Sequence, residues 1–256
     1  VSLFFALLLG IMLSFLWYFL TATVRNKNQL SGIIEHPVLA TVEKVTAKAA
    51  NKANALANLY VNLNIIQKNK ETQEGSIVLI TSMLPLEGKT FTACNLAKTI
   101  ANVGQKTLLI DMDVRNPTVH KMLNIKNENG LSSFIKKEKS WNECKVTYSD
   151  KLDVMVAGNI ASLFSGLIFS DQAMHFLEDL KKEYGLIIID TPAMGVIVDA
   201  IPMMHLSDVN LFLVRAKHSK IRHTKSALAL LNEFKIPNAY FVLNDAKIKR
   251  KTYKKR

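Results

Sequence analysis

The stretch Ile77–Thr90, IVLITSMLPLEGKT, decides how this chain is read. Ile77 to Ile80 reads as a short, fully buried strand, then a loop, then a helix opening near Gly88. Lys89 and Thr90 follow that glycine directly. Successive backbone N–H groups in such a loop, with the free N–H groups of a helix start, form a cradle for a phosphate chain. Lys89 would bring a positive charge to the terminal phosphate oxygens, and the Thr90 hydroxyl suits magnesium. The pattern G-x-x-x-x-G-K-[ST] is incomplete, because Met83 stands at its first glycine. GKT alone is a weak signal, and a helix start with an incidental lysine is the competing reading. The strand before it, the helix after it and two later acidic strand ends favour the phosphate loop.

Further apolar runs alternate with helical patterns. Thr107–Asp111, Asp153–Ala157, Leu186–Asp190, Val209–Val214 and Ala239–Leu243 read as strands. Phe91–Val103, Ser170–Tyr184, Ala200–Leu206 and Lys220–Phe234 read as helices, with Gly104 closing the first as a C′ glycine would. Continuous apolar strands, rather than alternating ones, belong to a parallel sheet covered by helices on both faces. The expected class is therefore α/β with a mostly parallel sheet. In such sheets ligands bind at the carboxyl ends of the strands.

The N-terminus adds a different element. Val1–Leu20 carries no charged residue, and the charge-free run reaches Val24. That length crosses a bilayer as a helix. Trp17 and Tyr18 lie near its end, and Arg25 and Lys27 follow, which places the C-terminal side in the cytoplasm. A signal peptide is the rival, but the run lacks a basic start and is longer than a usual apolar core. The first residue is valine, and an upstream part is expected. Residues 26–45 read as a linker interrupted by Pro37, and Glu43–Ile66 as a helix with Ala49, Ala53, Leu56, Tyr60 and Leu63 on one face. The expected organisation is a transmembrane helix over 1–24, a cytoplasmic linker and helix over 25–75, a phosphate-loop domain over 76–244 and a basic tail over 245–256.

The chain has 256 residues, 49% of them apolar, and a formal charge of +12. The last twelve residues hold seven Lys/Arg against one Asp, half of that excess. A basic tail on an anchored chain suits an anionic leaflet, and a solvated end is equally compatible. With only Tyr253 interleaving the lysines and no recognition motif, no nucleic-acid partner is expected. Two cysteines, Cys94 and Cys144, give no disulfide framework, and the six histidines show no metal-ligand spacing.

The chemistry concentrates in three acids. Asp111 and Asp113 lie two apart at a strand end, and share one face if the extended geometry persists. Asp190 ends LIIIDTP. Such carboxylates beside a Lys-Thr loop can hold magnesium, with Thr90 as a further ligand, and orient or deprotonate an attacking hydroxyl. Glu87, inside the loop, is expected to face solvent. Arg115 is open between a phosphate contact and an ordinary surface ion pair.

IVLITS…EGKT, LLIDMDVRNP at Leu108–Pro117 and IIIDTP at Ile187–Pro192 together resemble the Walker A, A′ and B segments of the bacterial tyrosine kinases, from about Ile77 to Asn244. These are cytoplasmic P-loop domains attached to polysaccharide co-polymerase membrane proteins. GLSSFI at Gly130 and the strand ending LND at Asp245 fit the same pattern. The resemblance implies a ParA/MinD-like P-loop fold, ATP and Mg2+ as cofactors, and membrane-anchored tyrosine autokinase activity regulating capsule or exopolysaccharide export. It implies Lys89, Asp111 and Asp113 as catalytic residues. Pro85, Glu87, Gly88, Lys89, Thr90, Phe91 and Asn244 would contact the nucleotide, with Asn244 near the adenine. Thr90, Asp111 and Asp190 would hold the metal, and Tyr253 would accept the phosphoryl group. Partners would be the membrane, further copies of the chain and the export machinery. The ParA/MinD ATPases are the alternative, but Leu84 stands where their signature lysine belongs.

The chain departs from the kinase pattern at four places. Leu86 would add bulk beside the phosphates. Asn54, Ala57 and Tyr60 replace the Glu and two Arg that close the family's ring, and Ala161–Leu167 replaces a P-P-N-P-S-E-L run. Tyr253 stands alone where a tyrosine cluster is usual. A non-catalytic co-polymerase component is therefore a further alternative.

Overall fold

The computed structural model describes residues 2–44, 52–68, 74–158, 171–195 and 201–247. The decisive stretch forms β2 (Ser76–Ser82), buried along its whole length, and runs through the loop into α4 (Lys89–Asn102). Around it lie β1 (Val38–Glu43), β3 (Thr107–Asp111), β4 (Lys145–Ser149), β5 (Leu152–Met155), β6 (Leu186–Asp190), β7 (Val209–Arg215) and β8 (Ala239–Ala246). They form an eight-stranded sheet in the order β1-β8-β7-β2-β6-β3-β5-β4. All neighbouring pairs are parallel except β4 with β5. One apolar layer holds Ile77, Leu79, Leu108, Ile110, Ile187 and Ile189, and the opposite layer Val78, Ile80, Leu109 and Ile188. Successive strand residues thus feed opposite cores, which is why these strands read as unbroken apolar runs.

α4, α8 (Asp171–Leu180), α9 (Ile201–Leu206) and α10 (Ile221–Glu233) match the helical patterns of the sequence within a few residues. Gly104 has φ +94, the left-handed turn expected after α4. Two strands were not expected. β1 lies in the segment read as a linker, and it also removes Glu43 from the expected helix. Pro37 does not break it, because Pro37 precedes the strand and its carbonyl accepts the Phe241 N–H at 2.9 Å. On an edge strand a proline at the start costs no ladder bond. The helix that follows is α3 (Lys52–Lys68), with Leu56, Leu59 and Leu63 buried against the sheet layer and Tyr60 half-buried. Ala49 lies outside the described residues. β4 is half to fully exposed, so no apolar run marks it.

α1 (Ser2–Thr21) is apolar on every side, and its stretch Leu3–Thr21 is 0% buried. It is long and apolar enough to cross a membrane. The helix ends earlier than the charge-free run suggests. Thr23 makes an antiparallel bridge with Lys220, and Val24 is fully buried. The Val24 N–H donates to the Ser219 carbonyl at 2.9 Å, and the Lys217 N–H donates to the Val24 carbonyl at 2.7 Å. The chain is thereby tied to the β7–α10 turn immediately after α1.

Candidate nucleotide site

β2, β6 and β3 are adjacent, so their carboxyl ends put the loop, Asp190 and Asp111 side by side. Asp111 pairs in register with Asp190, and Ile80 with Asp190. Both aspartates are fully buried. The Thr90 hydroxyl donates to Asp190 Oδ2 at 2.6 Å, and Thr118 Oγ1 lies 3.0 Å from Thr90 Oγ1. Asp111 accepts the Val119 N–H at 3.1 Å and the Asp113 N–H at 3.2 Å. Asp190 Oδ1 is buried with no hydrogen-bond partner.

Burial, reinforced by the charge on Asp190, raises the Asp111 carboxyl well above its ordinary range. Burial pushes Asp190 up to about 7, although Thr90 and Lys89 pull the other way. Two adjacent carboxylates without a cation cannot both ionise cheaply. The donor set fits magnesium: hard oxygen ligands, an orphaned buried carboxylate oxygen and a hydroxyl beside it. Thr90, Asp111 and Asp190 are the residues that would hold it.

Asp113 does not continue the strand. Its carboxylate and carbonyl both accept the Asn116 N–H, each at 3.2 Å, which turns the chain. Asp113 is half-buried, and desolvation raises its carboxyl, with Lys89 and Arg115 opposing. Arg115 is exposed.

Within the loop, Lys89 is buried and its Nζ lies 3.3 Å from the Ser82 hydroxyl. Gly88 is left-handed, at φ +97, and a Cβ there would sit 2.0 Å from Asn244 Nδ2. Asn244 donates from that nitrogen to the Glu87 carbonyl at 2.9 Å, so β8 braces the loop from behind.

Two expectations are corrected here. Glu87 does not face solvent: it is 1% exposed, and its carboxylate accepts the Leu84 N–H at 2.8 Å and the Ser219 hydroxyl. Its side chain thereby holds the loop's own shape. Leu86 does not crowd the cradle with its side chain, which is 76% exposed. Its cost is in the backbone, at φ +65. The Arg215 guanidinium donates to the Leu86 carbonyl at 3.0 Å and pairs with Asp245 at 3.1 Å.

Beside the loop, Leu86, Gly88, Phe91, Asn244 and the Arg215–Asp245 pair border a cavity of about 250 Å³. Pro85 is exposed at the rim of the loop. Cys94 is buried below the site, and burial with the nearby Asp190 and Asp111 raises its thiol, so it packs rather than reacts. Tyr253 and Ala161–Leu167 lie outside the described residues.

Ser82, Thr118, Arg215 and Ser219 join the site without having been singled out. Ser82 closes β2, and Arg215 closes β7, so both stand at carboxyl ends of parallel strands. That position was the available signal. Thr118 immediately precedes the short helix Val119–Leu123 and Ser219 lies in a bend after β7; both are small polar residues with no clear signal of their own.

A family model described as an AAA domain matches residues 87–235. CapB of Staphylococcus aureus, whose name assigns it to the tyrosine-protein kinases, is 32% identical over 174 residues, covering 68% of this chain and 76% of CapB. The tyrosine-protein kinase Etk of Escherichia coli K12 is 30% identical over 190 residues, which cover 72% of this chain but 25% of Etk. The solved kinase domain of Etk superposes with a TM-score of 0.78 at 25% identity, over 91% of this chain and 97% of that domain. The MinD cell division protein of Aquifex aeolicus shares the fold, with a TM-score of 0.54 at 21% identity over 68% of this chain and 70% of its own.

Proposed function

The chain belongs to the bacterial tyrosine-protein kinases, AAA-type P-loop proteins, and on that premise we propose that it transfers the γ-phosphoryl group of ATP to tyrosine. The observation that supports this most is the Thr90–Asp190 contact at 2.6 Å, beside a second buried carboxylate and a left-handed glycine loop. Each group has a part in phosphoryl transfer. The loop's backbone N–H groups and Lys89 bind and orient the phosphates. The cavity at Asn244 and Phe91 takes the nucleoside. Magnesium, when bound, neutralises charge on the β and γ oxygens. Asp113 accepts the proton of the attacking phenol, and its raised pKa suits that task. The new bond joins the phenolic oxygen to phosphorus, and the bond to the β–γ bridging oxygen breaks.

The whole assembly follows from the same reading. α1 anchors the domain in the plasma membrane with its C-terminal side cytoplasmic, and the tail residue Tyr253 is the acceptor. The setting is capsule or exopolysaccharide export, with other copies of the chain and the export machinery as partners. The full chain in detergent, given Mg-ATP, should gain phosphotyrosine at Tyr253, and Lys89→Met should not. Equal labelling of both proteins would overturn the assignment.

A second reading has its own support in Asn54, Ala57 and Tyr60, which stand where the kinase pattern has a Glu and two Arg: a domain that binds nucleotide and regulates export through contacts, without transfer. Tight Mg-ATP binding with no phosphotyrosine on the wild-type chain would favour it.

A further inference from the structure

Adjoining the nucleotide site, a concentration of charge lines a cavity of about 460 Å³. Arg25, Lys44, Arg215, Lys217, His218 and Lys247 border it, with Asp245 as the one carboxylate among the described residues of its wall. These groups come from four separate elements: the segment after α1, the end of β1, the β7–α10 turn and the end of β8. Their convergence is fixed by backbone bonds. Val24 and Lys217 are hydrogen-bonded, the Lys44 N–H donates to the Ala246 carbonyl at 3.0 Å, and the Ala216 N–H donates to the Asn244 carbonyl at 2.8 Å.

Five cationic side chains against one carboxylate repel one another unless an anion is present. Asp245 is already engaged by Arg215. Among the described residues the cavity shares only Arg215 and Asp245 with the cavity beside Gly88, so that ion pair stands between the two. Its place matters as much as its charge. Arg25 lies four residues beyond the end of α1, so a spanning α1 sets the cavity at the level of the lipid headgroups.

We propose that this cavity is a binding site for a phosphate-bearing anion, separate from the nucleotide site. The chemistry is that of a phosphate or diphosphate group held by several Lys and Arg side chains. It has two sources at this position, an anionic lipid headgroup or a free phosphate compound. The lipid source rests on the spanning reading of α1; the site itself rests on neither that reading nor kinase activity.

The test uses the full chain carrying Lys89→Met, which weakens phosphate binding at the loop. A triple variant Lys44→Gln, Lys217→Gln, Lys247→Gln removes three cavity charges. A control triple, Lys121→Gln, Lys136→Gln, Lys137→Gln, removes three exposed charges elsewhere. In detergent, calorimetric titration with pyrophosphate should show binding that weakens on the order of a hundredfold in the cavity variant and stays within about twofold in the control. In nanodiscs, phosphatidylglycerol should slow hydrogen exchange over Lys217–Ser219 relative to phosphatidylcholine, again only while the cavity lysines are present. A nanodisc effect supports the lipid source, and a pyrophosphate effect alone supports the free one. If the cavity variant and the control match in both measurements, the site does not exist. Lys217→Gln alone replaces the triple should the triple fail to fold.

Discussion

Thr90 donates its hydroxyl to Asp190 at 2.6 Å, on one oxygen of a carboxylate whose other oxygen is buried and unbonded. That half-satisfied acid, next to Asp111 in register, is an expensive arrangement for a folding core. It suits a site completed by a cation. Asp190→Asn should therefore raise the melting temperature of the ligand-free protein while abolishing the Mg2+-dependent part of nucleotide binding. Thermal denaturation and calorimetry on the same preparation check both halves.

The same carboxylate makes stability depend on pH. Its folded pKa, about 7, lies above its ordinary value of 3.8, so in that interval the folded state keeps a proton that the unfolded chain has released. Stability from this group is fully present below about pH 4 and declines as pH rises toward 7. The ligand-free wild type should lose melting temperature over that window more steeply than Asp190→Asn. Parallel curves for the two proteins would contradict the assignment.

Ser219 links the exit of α1 to the loop. Its carbonyl accepts the Val24 N–H, and its hydroxyl bonds Glu87, whose carboxylate also takes the Leu84 N–H. Removing the carboxylate strands both donors. Glu87→Ala should cost about 2 kcal/mol in denaturant unfolding and weaken ATP binding, because its carboxylate holds the loop through Leu84 and Ser219. Ser219→Ala should do the same to a smaller degree.

Gly88 is constrained twice, by its φ of +97 and by Asn244. Gly88→Ala should abolish nucleotide binding. The double variant Gly88→Ala, Asn244→Ala relieves the contact but not the left-handed backbone, and it also loses the brace on the Glu87 carbonyl. Fluorescence titration with a nucleotide analogue should find no rescue.

Leu86 adopts a left-handed backbone with its side chain in solvent. Leu86→Gly should stabilise the protein by roughly 0.5–1 kcal/mol, the left-handed strain less the added glycine entropy. ATP affinity should fall by no more than a few-fold, since the leucine side chain lies outside the phosphate cradle and only borders the adjoining cavity.

The parallel core was legible because β2, β3, β6, β7 and β8 are buried on both faces and so are written as unbroken apolar runs. β1 was not, because an edge strand alternates, and its Val-Leu-Ala-Thr-Val-Glu follows a proline that resembles an interruption. The exposed β4 carries still less signal. In the site, Lys89, Thr90, Asp111 and Asp190 came from local spacing. The orientation of Glu87 did not, because its partner Ser219 is 132 positions away and only the fold brings them together.

The central claim is that the buried acids Asp111 and Asp190 are kept for a divalent ion that arrives with the nucleotide. Titrating ATP into the full chain with magnesium and then with excess EDTA tests it directly. Magnesium should strengthen binding at least about tenfold in the wild type and leave Asp190→Asn unchanged. Equal affinity with and without the metal in the wild-type chain would contradict the account.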